Sequence, residues 1–247
     1  MSKNFQLLQQ MNRERELTQP LSARIVPIER VKKGHAHLDD LAREEVIRLV
    51  QHLFLTPGPE APRVVVFSGV QHGDGCSRIC AHAAATLASR VTGSVCAVDA
   101  NLTRPSLHRY FGAETPFGLK QILSDSTPVR SMAQPVGDAN LWLLSCGSSL
   151  NGEQARVASD KLRSRLGELR SGFDYVLIDT PPVNLYADCI GMGQVSDGIV
   201  LVLGSNSTRR EAARRAKENL HAARARVLGV VLNKRTFPIP ESIYRKL

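Results

Sequence analysis

The sequence predicts an α/β fold with a mostly parallel, doubly wound sheet and a helical extension at its N-terminus. Three observations support this prediction: short apolar runs alternate with helical patterns, a glycine-rich turn joins one apolar run to a helix, and two apolar runs end in an aspartate. Runs that are apolar along their whole length are typical of strands in a parallel sheet that helices cover on both faces. No internal repeat or low-complexity tract interrupts the alternation.

The N-terminal quarter predicts an extension, a helix and a linker ahead of the sheet. Residues 36–55 have leucines on helical spacing, and TPGPEAP at 56–62 is a linker because its prolines cannot continue a helix. We therefore divide the chain into an extension at 1–35, a helix and linker at 36–62 that is a candidate oligomerisation element, an α/β domain at 63–235 and a tail at 236–247.

Strands and helices then alternate through the domain. The apolar runs that predict strands span residues 63–69, 94–101, 141–144, 173–182, 198–205 and 227–233. Helical patterns occupy residues 77–91, 153–170 and 207–225, and the second of these is amphipathic.

Length and composition fit one large domain with a tail. The chain has 247 residues, and 43% of them are hydrophobic, which is enough for a substantial core. No apolar stretch approaches the roughly 18 residues of a membrane span, and the N-terminus has no apolar signal core, so we expect a cytoplasmic protein. The five cysteines are odd in number and form no C-x-x-C pair, which argues against disulfides and structural zinc.

The charge is strongly basic, with a formal net value of +9. From Thr208 onward, eleven lysines and arginines stand against Glu211, Glu218 and Glu241. Two interpretations are open: a solvated basic surface, or a surface that meets an acidic partner, an anionic membrane face or nucleic acid.

The turn after the first strand predicts a phosphate-binding loop. In such loops, backbone N–H groups point at phosphate oxygens, and the following helix adds the positive end of its dipole. The usual pattern is G-x-x-x-x-G-K-[ST]. Here Gly73, Asp74, Gly75 and Ser77 fit the end of the pattern, whereas Cys76 holds the lysine position. Taken alone, an ordinary glycine-rich turn explains the segment equally well.

Two strand ends supply the acidic groups that a nucleotide site needs for Mg²⁺. Asp99 ends the strand VCAVD, and Asp179 ends the strand YVLID. Sheets of this class place their ligands at the carboxyl ends of strands. Either acid alone fits a helix cap or a turn residue, but the loop and both acids in this order predict a nucleotide site.

The residues around Asp99 resemble a signature of the bacterial tyrosine kinases, which are relatives of the MinD/ParA P-loop ATPases with a deviant Walker A motif. The segment VDANLTRPSLHRYFG at 98–112 resembles the family pattern I-D-x-D-x-R-x-P-S-L-H. DYVLIDTPP at 174–182 is similar to its Walker B stretch, and GLKQIL at 118–123 and LLSCG at 143–147 are similar to two shorter segments. The resemblance covers residues 36–235 and is to the CpsD/CapB-like kinases, with a degenerate Walker A.

This resemblance implies a P-loop site for ATP or ADP with Mg²⁺, weakened or lost where the loop departs from the family. The family's site residues fall on these positions: nucleotide contacts at Gly73, Asp74, Gly75, Cys76, Ser77 and Arg78, a base contact at Asn233, metal ligands at Ser77, Asp99 and Asp179, and catalytic positions at Asp99, Asn101 and Arg104.

The helix ahead of the linker resembles the family's oligomerisation motif E-x-x-R-x-x-R, with Glu45, Arg48 and Gln51 in the three places. The resemblance therefore implies self-association, and a charged, solvated helix face is the alternative. It also implies a partner of the polysaccharide co-polymerase type in the inner membrane, contacted at the cytoplasmic face. Nucleic acid is not an expected partner.

Three departures from the family pattern predict weak or absent catalysis. Cys76 replaces the loop lysine, Asn101 stands where the family has a second acid, and Tyr244 alone follows Asn233 where the family has a tyrosine cluster. We therefore expect a kinase-like regulator, a pseudokinase, of exopolysaccharide or capsule biosynthesis and export. The alternatives are an active tyrosine autokinase with an altered loop, and a MinD/ParA-type positioning ATPase, which the basic helix at 208–226 would favour.

Cys76 carries a further prediction of its own. It begins a helix beside backbone N–H donors, which predicts a stabilised thiolate with a pKa below the ordinary value of about 8.5. Such a thiolate would make the site sensitive to oxidants. The alternative is an inert small residue at a position where the lysine has been lost.

Overall fold

The computed structural model describes residues 36–56, 61–114, 118–119, 128–137, 140–146 and 160–234. The predicted extension at 1–35, the middle of the predicted linker and the tail at 236–247 lie outside these ranges, so the domain boundaries remain predictions. None of the helices in the described ranges combines the length and the apolar character that crossing a bilayer requires.

The strands and helices that the sequence predicts follow each other in the expected order. Two short pieces have no label of their own, a 3-10 turn at Val129–Met132 and a helical stretch at 160–164. The labelled elements are α1 (Ala36–Val50), continued by a π-helical turn (Gln51–Leu55), β1 (Val64–Gly69), α2 (Cys76–Ala88), β2 (Val95–Asp99), α3 (Leu107–Phe111), β3 (Gln134–Pro135), β4 (Leu141–Leu144), α4 (Leu166–Gly172), β5 (Tyr175–Thr180), α5 (Asp188–Val195), β6 (Gly198–Gly204), α6 (Arg210–Ala222) and β7 (Val227–Asn233).

The strands form one seven-stranded sheet in the order β3-β4-β2-β5-β1-β6-β7. Every neighbouring pair is parallel except β3 and β4, which are antiparallel. The predicted fold class, a mostly parallel α/β sheet, is therefore confirmed. The strand order reverses direction beside β1, and such a switch point opens a crevice at the carboxyl ends of the strands.

Alternate residues of β1 face two separate cores. Val64 and Val66 pack on one face with apolar residues of α4, α5 and α6. Val65 and Phe67 pack on the other face with apolar residues of α1, α2 and α3. All four side chains are fully buried, which explains why the strand is apolar along its whole length.

The helix predicted at 36–55 is present as α1 and its π-helical continuation. Val46, Val50 and Phe54 are buried on one side, and the Phe54 ring meets the Tyr175 ring edge-on with centroids 5.9 Å apart. This helix therefore packs on the sheet domain as an integral layer.

Several short elements were not predicted. The strand β3 has only two residues and contains a proline, and α3 has five residues, so neither shows a usable periodicity. The eight residues of α5 include two glycines, which weaken a helical pattern. The helix predicted at 153–170 breaks at Arg165, and its residues 153–159 lie outside the described ranges.

Candidate functional site

The two strand-end acids lie side by side. In the pairing of β2 with β5, Asp99 is directly opposite Asp179. Strand β5 also pairs with β1, whose last residue, Gly69, leads into the glycine-rich loop. The sheet therefore brings the loop and both acids, which are far apart in the sequence, to one edge.

The loop has the backbone of an anion-binding turn. Gly73 and Gly75 both have φ of +86°, and Gly75 is the N-cap of α2. A Cβ at Gly75 would collide with the side-chain amide of Asn233, so this position also requires glycine for space. The first N–H groups of a helix have no partner within the helix and are available to an anion.

Asp74 braces the loop and is 1% exposed. Its Oδ2 accepts hydrogen bonds from the N–H groups of Val70 (3.0 Å) and Gln71 (2.9 Å). Its Oδ1 accepts hydrogen bonds from the N–H of Gly204 (3.2 Å) and the Thr208 hydroxyl (2.9 Å). The carboxylate therefore ties the loop to the end of β6 and is saturated by protein donors.

Asp179 is buried without such partners. Neither carboxylate oxygen accepts a hydrogen bond of normal geometry among the described residues, although the Ser77 hydroxyl and the Cys76 thiol lie close enough to lower its pKa. Burial, followed by repulsion from Asp99, outweighs them and raises the pKa of Asp179 to about 8. A buried acid with open oxygens beside a second acid fits a bound cation.

Asp99 is better supported than Asp179. Its oxygens accept hydrogen bonds from the N–H groups of Ser106 (2.8 Å), Leu107 (2.9 Å) and Asn101 (3.3 Å). Burial raises the pKa of Asp99 to about 6, and these three N–H groups limit the rise. Asp99 lies opposite Asp179, and Ser77 lies close to Asp179, so the predicted metal ligands are at the same edge of the sheet. Oxygen ligands of this kind are those that Mg²⁺ prefers, and their role as metal ligands stays a prediction.

The prediction of a stabilised thiolate at Cys76 is wrong. Cys76 is half-buried at the first position of α2, and its pKa is raised well above the ordinary value. Burial is the main cause, and the negative charge of Asp179 is the second. These two effects on the pKa outweigh that of the helix dipole, which favours the thiolate. Cys76 is therefore interpreted as a neutral, weakly reactive residue.

The cavity is also lined by two predicted residues outside the loop and by one residue that was not predicted. Asn101, Arg78 and Tyr110 all line the cavity, and the Asn101 Oδ1 is buried without a partner among the described residues. Burial and the charge of Asp179 raise the pKa of Tyr110, whereas Arg78 and Arg109 lower it. Tyr110 was missed because α3 is too short to be recognised.

Of two further predicted residues, Asn233 lines the cavity and Arg104 does not. The Arg104 side chain is exposed and does not line the cavity, so the structure does not bring this predicted catalytic residue to the site. Asn233 lies at the end of β7 and donates from Nδ2 to the Asp74 carbonyl at 2.8 Å. Lys234, which was not predicted, follows it and donates from Nζ to the Gly73 carbonyl at 2.6 Å.

The cavity beside the loop, which Asn101, Tyr110 and Asn233 also line, measures about 470 Å³. That volume lies within the range of small-molecule sites. Its lining combines backbone donors of the loop, the unpartnered Asn101 oxygen and an apolar strip from Pro182. The arrangement fits a phosphate-bearing ligand with an accompanying cation.

The predicted oligomerisation residues form an open surface. Glu45, Arg48 and Gln51 are all exposed on one side of α1 and its continuation. Arg48 pairs with Glu45 at 3.1 Å and with Glu44 at 3.8 Å, and such exposed pairs contribute little to stability. The face is available to a second copy, and its role remains a prediction.

Comparison with known proteins identifies the relatives of the chain. The ParA family, described as NUBPL iron-transfer P-loop NTPase, matches residues 61–245. Tyrosine-protein kinase YwqD of Bacillus subtilis is 30% identical over 68% of this chain and 71% of its own length. The putative tyrosine-protein kinase CapB of Staphylococcus aureus is 27% identical over 60% of this chain and 64% of its own length.

A solved structure agrees with these relatives. The kinase domain of the Escherichia coli tyrosine kinase ETK superposes with a TM-score of 0.73 and is 20% identical. The match covers 86% of this chain and 85% of that one, and at this identity it shows the shared fold.

Proposed function

Because the chain belongs to the ParA-type P-loop NTPases and, among them, to the bacterial tyrosine kinases, we propose that it binds ATP or ADP with Mg²⁺ and has weak or no tyrosine kinase activity. The observation that carries the proposal is the contrast at the loop. The backbone cradle and the open Asp179 oxygens are present, whereas the lysine position holds a neutral thiol.

Nucleotide binding is supported by groups that do not depend on the lysine. The loop N–H groups and the N-terminus of α2 supply donors for phosphate oxygens. Ser77, Asp99 and Asp179 would hold Mg²⁺, which when bound neutralises phosphate charge. Asn233, which the resemblance implies as the base contact, lines the same cavity and supports this proposal.

Two groups that would support catalysis are absent: a positive charge at the lysine position of the loop and a second acid at position 101. Phosphoryl transfer depends on positioning and on charge neutralisation, and Cys76 supplies no charge. A loss of about 3 kcal/mol in transition-state stabilisation slows the reaction on the order of 100-fold. Asn101 stands at the cavity wall, where an amide cannot accept a proton from an attacking phenol. The two changes act on different parts of the reaction, so their effects combine.

The relatives support a proposal for the biological role. We propose a regulator of exopolysaccharide or capsule biosynthesis and export that works at the cytoplasmic face of the membrane with a polysaccharide co-polymerase-type protein. Self-association through Glu45, Arg48 and Gln51 would bring subunits together for that role.

Two measurements on the full chain test the proposal. Calorimetry with ATP and ADP, with and without Mg²⁺, should show Mg²⁺-dependent binding, and no binding at millimolar nucleotide would refute it. Mass spectrometry after incubation with Mg²⁺-ATP should show little or no phosphotyrosine. Robust autophosphorylation would instead establish an active kinase with an altered loop.

A further inference from the structure

We propose that Lys234 is a positioning residue of this site, which holds the phosphate loop in its anion-binding form. The proposal deepens the proposed nucleotide binding and rests on it for the ligand. Lys234 follows the last residue of β7, two strands away from the strand that carries the loop. Its ammonium group nevertheless reaches the loop backbone and donates to the Gly73 carbonyl at 2.6 Å.

Side chains at the end of β7 hold two successive peptide groups of the loop. Lys234 binds the Gly73 carbonyl, and the Asn233 amide binds the Asp74 carbonyl at 2.8 Å. In a planar trans peptide the C=O and the N–H point in opposite directions, so each held carbonyl turns the next N–H away from β7. Those N–H groups belong to Asp74 and Gly75. The first has only a long contact of 3.5 Å to the Gln71 carbonyl, which an anion can displace.

The backbone of Lys234 is specialised for this contact. Its φ is +58°, in the left-handed region that residues other than glycine rarely adopt. The chain turns there directly after β7, and the side chain extends to the loop. Its Cε lies 3.9 Å from the point that a Cβ would occupy if Gly75 carried one. A conformation of this kind persists where surrounding contacts hold it, and here the contact is with the loop.

Lys234 also restores a positive charge beside the loop. Among the described residues that line the cavity, the permanent cations are Lys234 and Arg78. Arg78 is exposed on α2, and its charge lowers the pKa of Tyr110 and that of His82. The Lys234 ammonium is instead hydrogen-bonded to the loop itself, so it is the cation whose position the loop fixes.

The test uses the full chain with three variants: Lys234→Met, Lys234→Arg and, as a matched control, Lys217→Met on the exposed side of α6. Hydrogen exchange of the peptide covering residues 68–78 is measured without nucleotide, and dissociation constants are measured for Mg²⁺-ADP and for adenosine. We expect that, of the three variants, Lys234→Met alone exchanges faster in the loop and binds Mg²⁺-ADP about tenfold more weakly. Its affinity for adenosine should be unchanged, because adenosine has no phosphate. Lys234→Arg should recover part of the ADP affinity because it keeps the charge.

The outcomes separate this proposal from the proposed function. Loop exchange in Lys234→Met that equals the control overturns the positioning role, whatever the nucleotide affinity. An equal loss for adenosine and ADP also overturns it, because the residue would then act on the base. If the wild-type chain binds no ADP, the proposed function fails, and loop exchange alone decides whether Lys234 holds the loop.

Discussion

Two carboxylates at the same edge of the sheet, Asp74 in the loop and Asp179 at the end of β5, are equally buried and differently used. Asp74 accepts four hydrogen bonds from four different residues. Asp179 accepts none of normal geometry within the described part of the chain. Their exposures are 1% and 0%, so burial does not distinguish them.

The difference lies in what each region can still bind. A buried carboxylate that protein donors saturate has no capacity for a ligand, and its removal takes an acceptor from each of those donors. A buried carboxylate without donors is unstable as an anion until a cation arrives. The loop is therefore built to keep its shape, whereas the end of β5 is built to receive a cation.

The largest expected effect is that of Asp74→Ala. The substitution leaves the Gln71 N–H without an acceptor among the described residues. It also removes one of two acceptors from the Val70 and Gly204 N–H groups, so we expect a loss of about 2–4 kcal/mol in the free energy of unfolding. Urea denaturation measures it, and Asp74→Asn should lose less because one acceptor oxygen remains. A loss below about 1 kcal/mol would mean that the loop does not depend on this brace.

Asp179→Asn should have the opposite effect on stability. Asparagine has nearly the same shape as aspartate but carries no charge, and the substitution breaks no hydrogen bond. The free energy of unfolding should therefore stay the same or rise by about 1–3 kcal/mol near pH 8. Calorimetry should show that the Mg²⁺ dependence of nucleotide binding is lost. Destabilisation as large as that of Asp74→Ala would erase the contrast between the two acids.

The dependence of stability on pH gives a third test. Burial raises the pKa of Asp179 to about 8 and that of Asp99 to about 6, above the value of about 3.9 in the unfolded chain. The folded protein then binds more protons than the unfolded one between these values. The stability that Asp99 and Asp179 contribute through their raised pKa values is fully present below about pH 4 and is lost as the pH rises to about 8. Denaturation at several pH values should show this slope, and Asp179→Asn should flatten it.

The smallest expected effect concerns Cys76. Because its pKa is raised, alkylation near pH 8 should be no faster than that of an ordinary exposed thiol. Cys76→Lys should strengthen Mg²⁺-ADP binding by about 1–2 kcal/mol and, alone, leave tyrosine phosphorylation absent. Adding Asn101→Asp should bring activity closer to that of a kinase. Rapid, nucleotide-sensitive alkylation would restore the idea of a reactive thiolate.

The parts of the site that were predictable lie within single segments. The loop glycines and the acids at the ends of VCAVD and YVLID could be recognised because parallel strands direct their carboxyl ends to one edge. Asp74 was predicted as a nucleotide contact, but its bonds to Gly204 and Thr208 join residues 130 and 134 positions apart, which no local pattern reports. Arg104 was expected at the site and is exposed outside the cavity.

The fold class, the loop and the strand-end acids could be read from the chain, because apolar periodicity and glycine position are local properties. How each charged group behaves depends on the folded arrangement. It saturated Asp74 and left Asp179 open, and the nearby Asp179 charge added to the effect of burial in raising the pKa of Cys76. It also placed Lys234 against the loop. The physical reason is that hydrogen bonding, desolvation and charge repulsion depend on neighbours in space, which the folded sheet supplies.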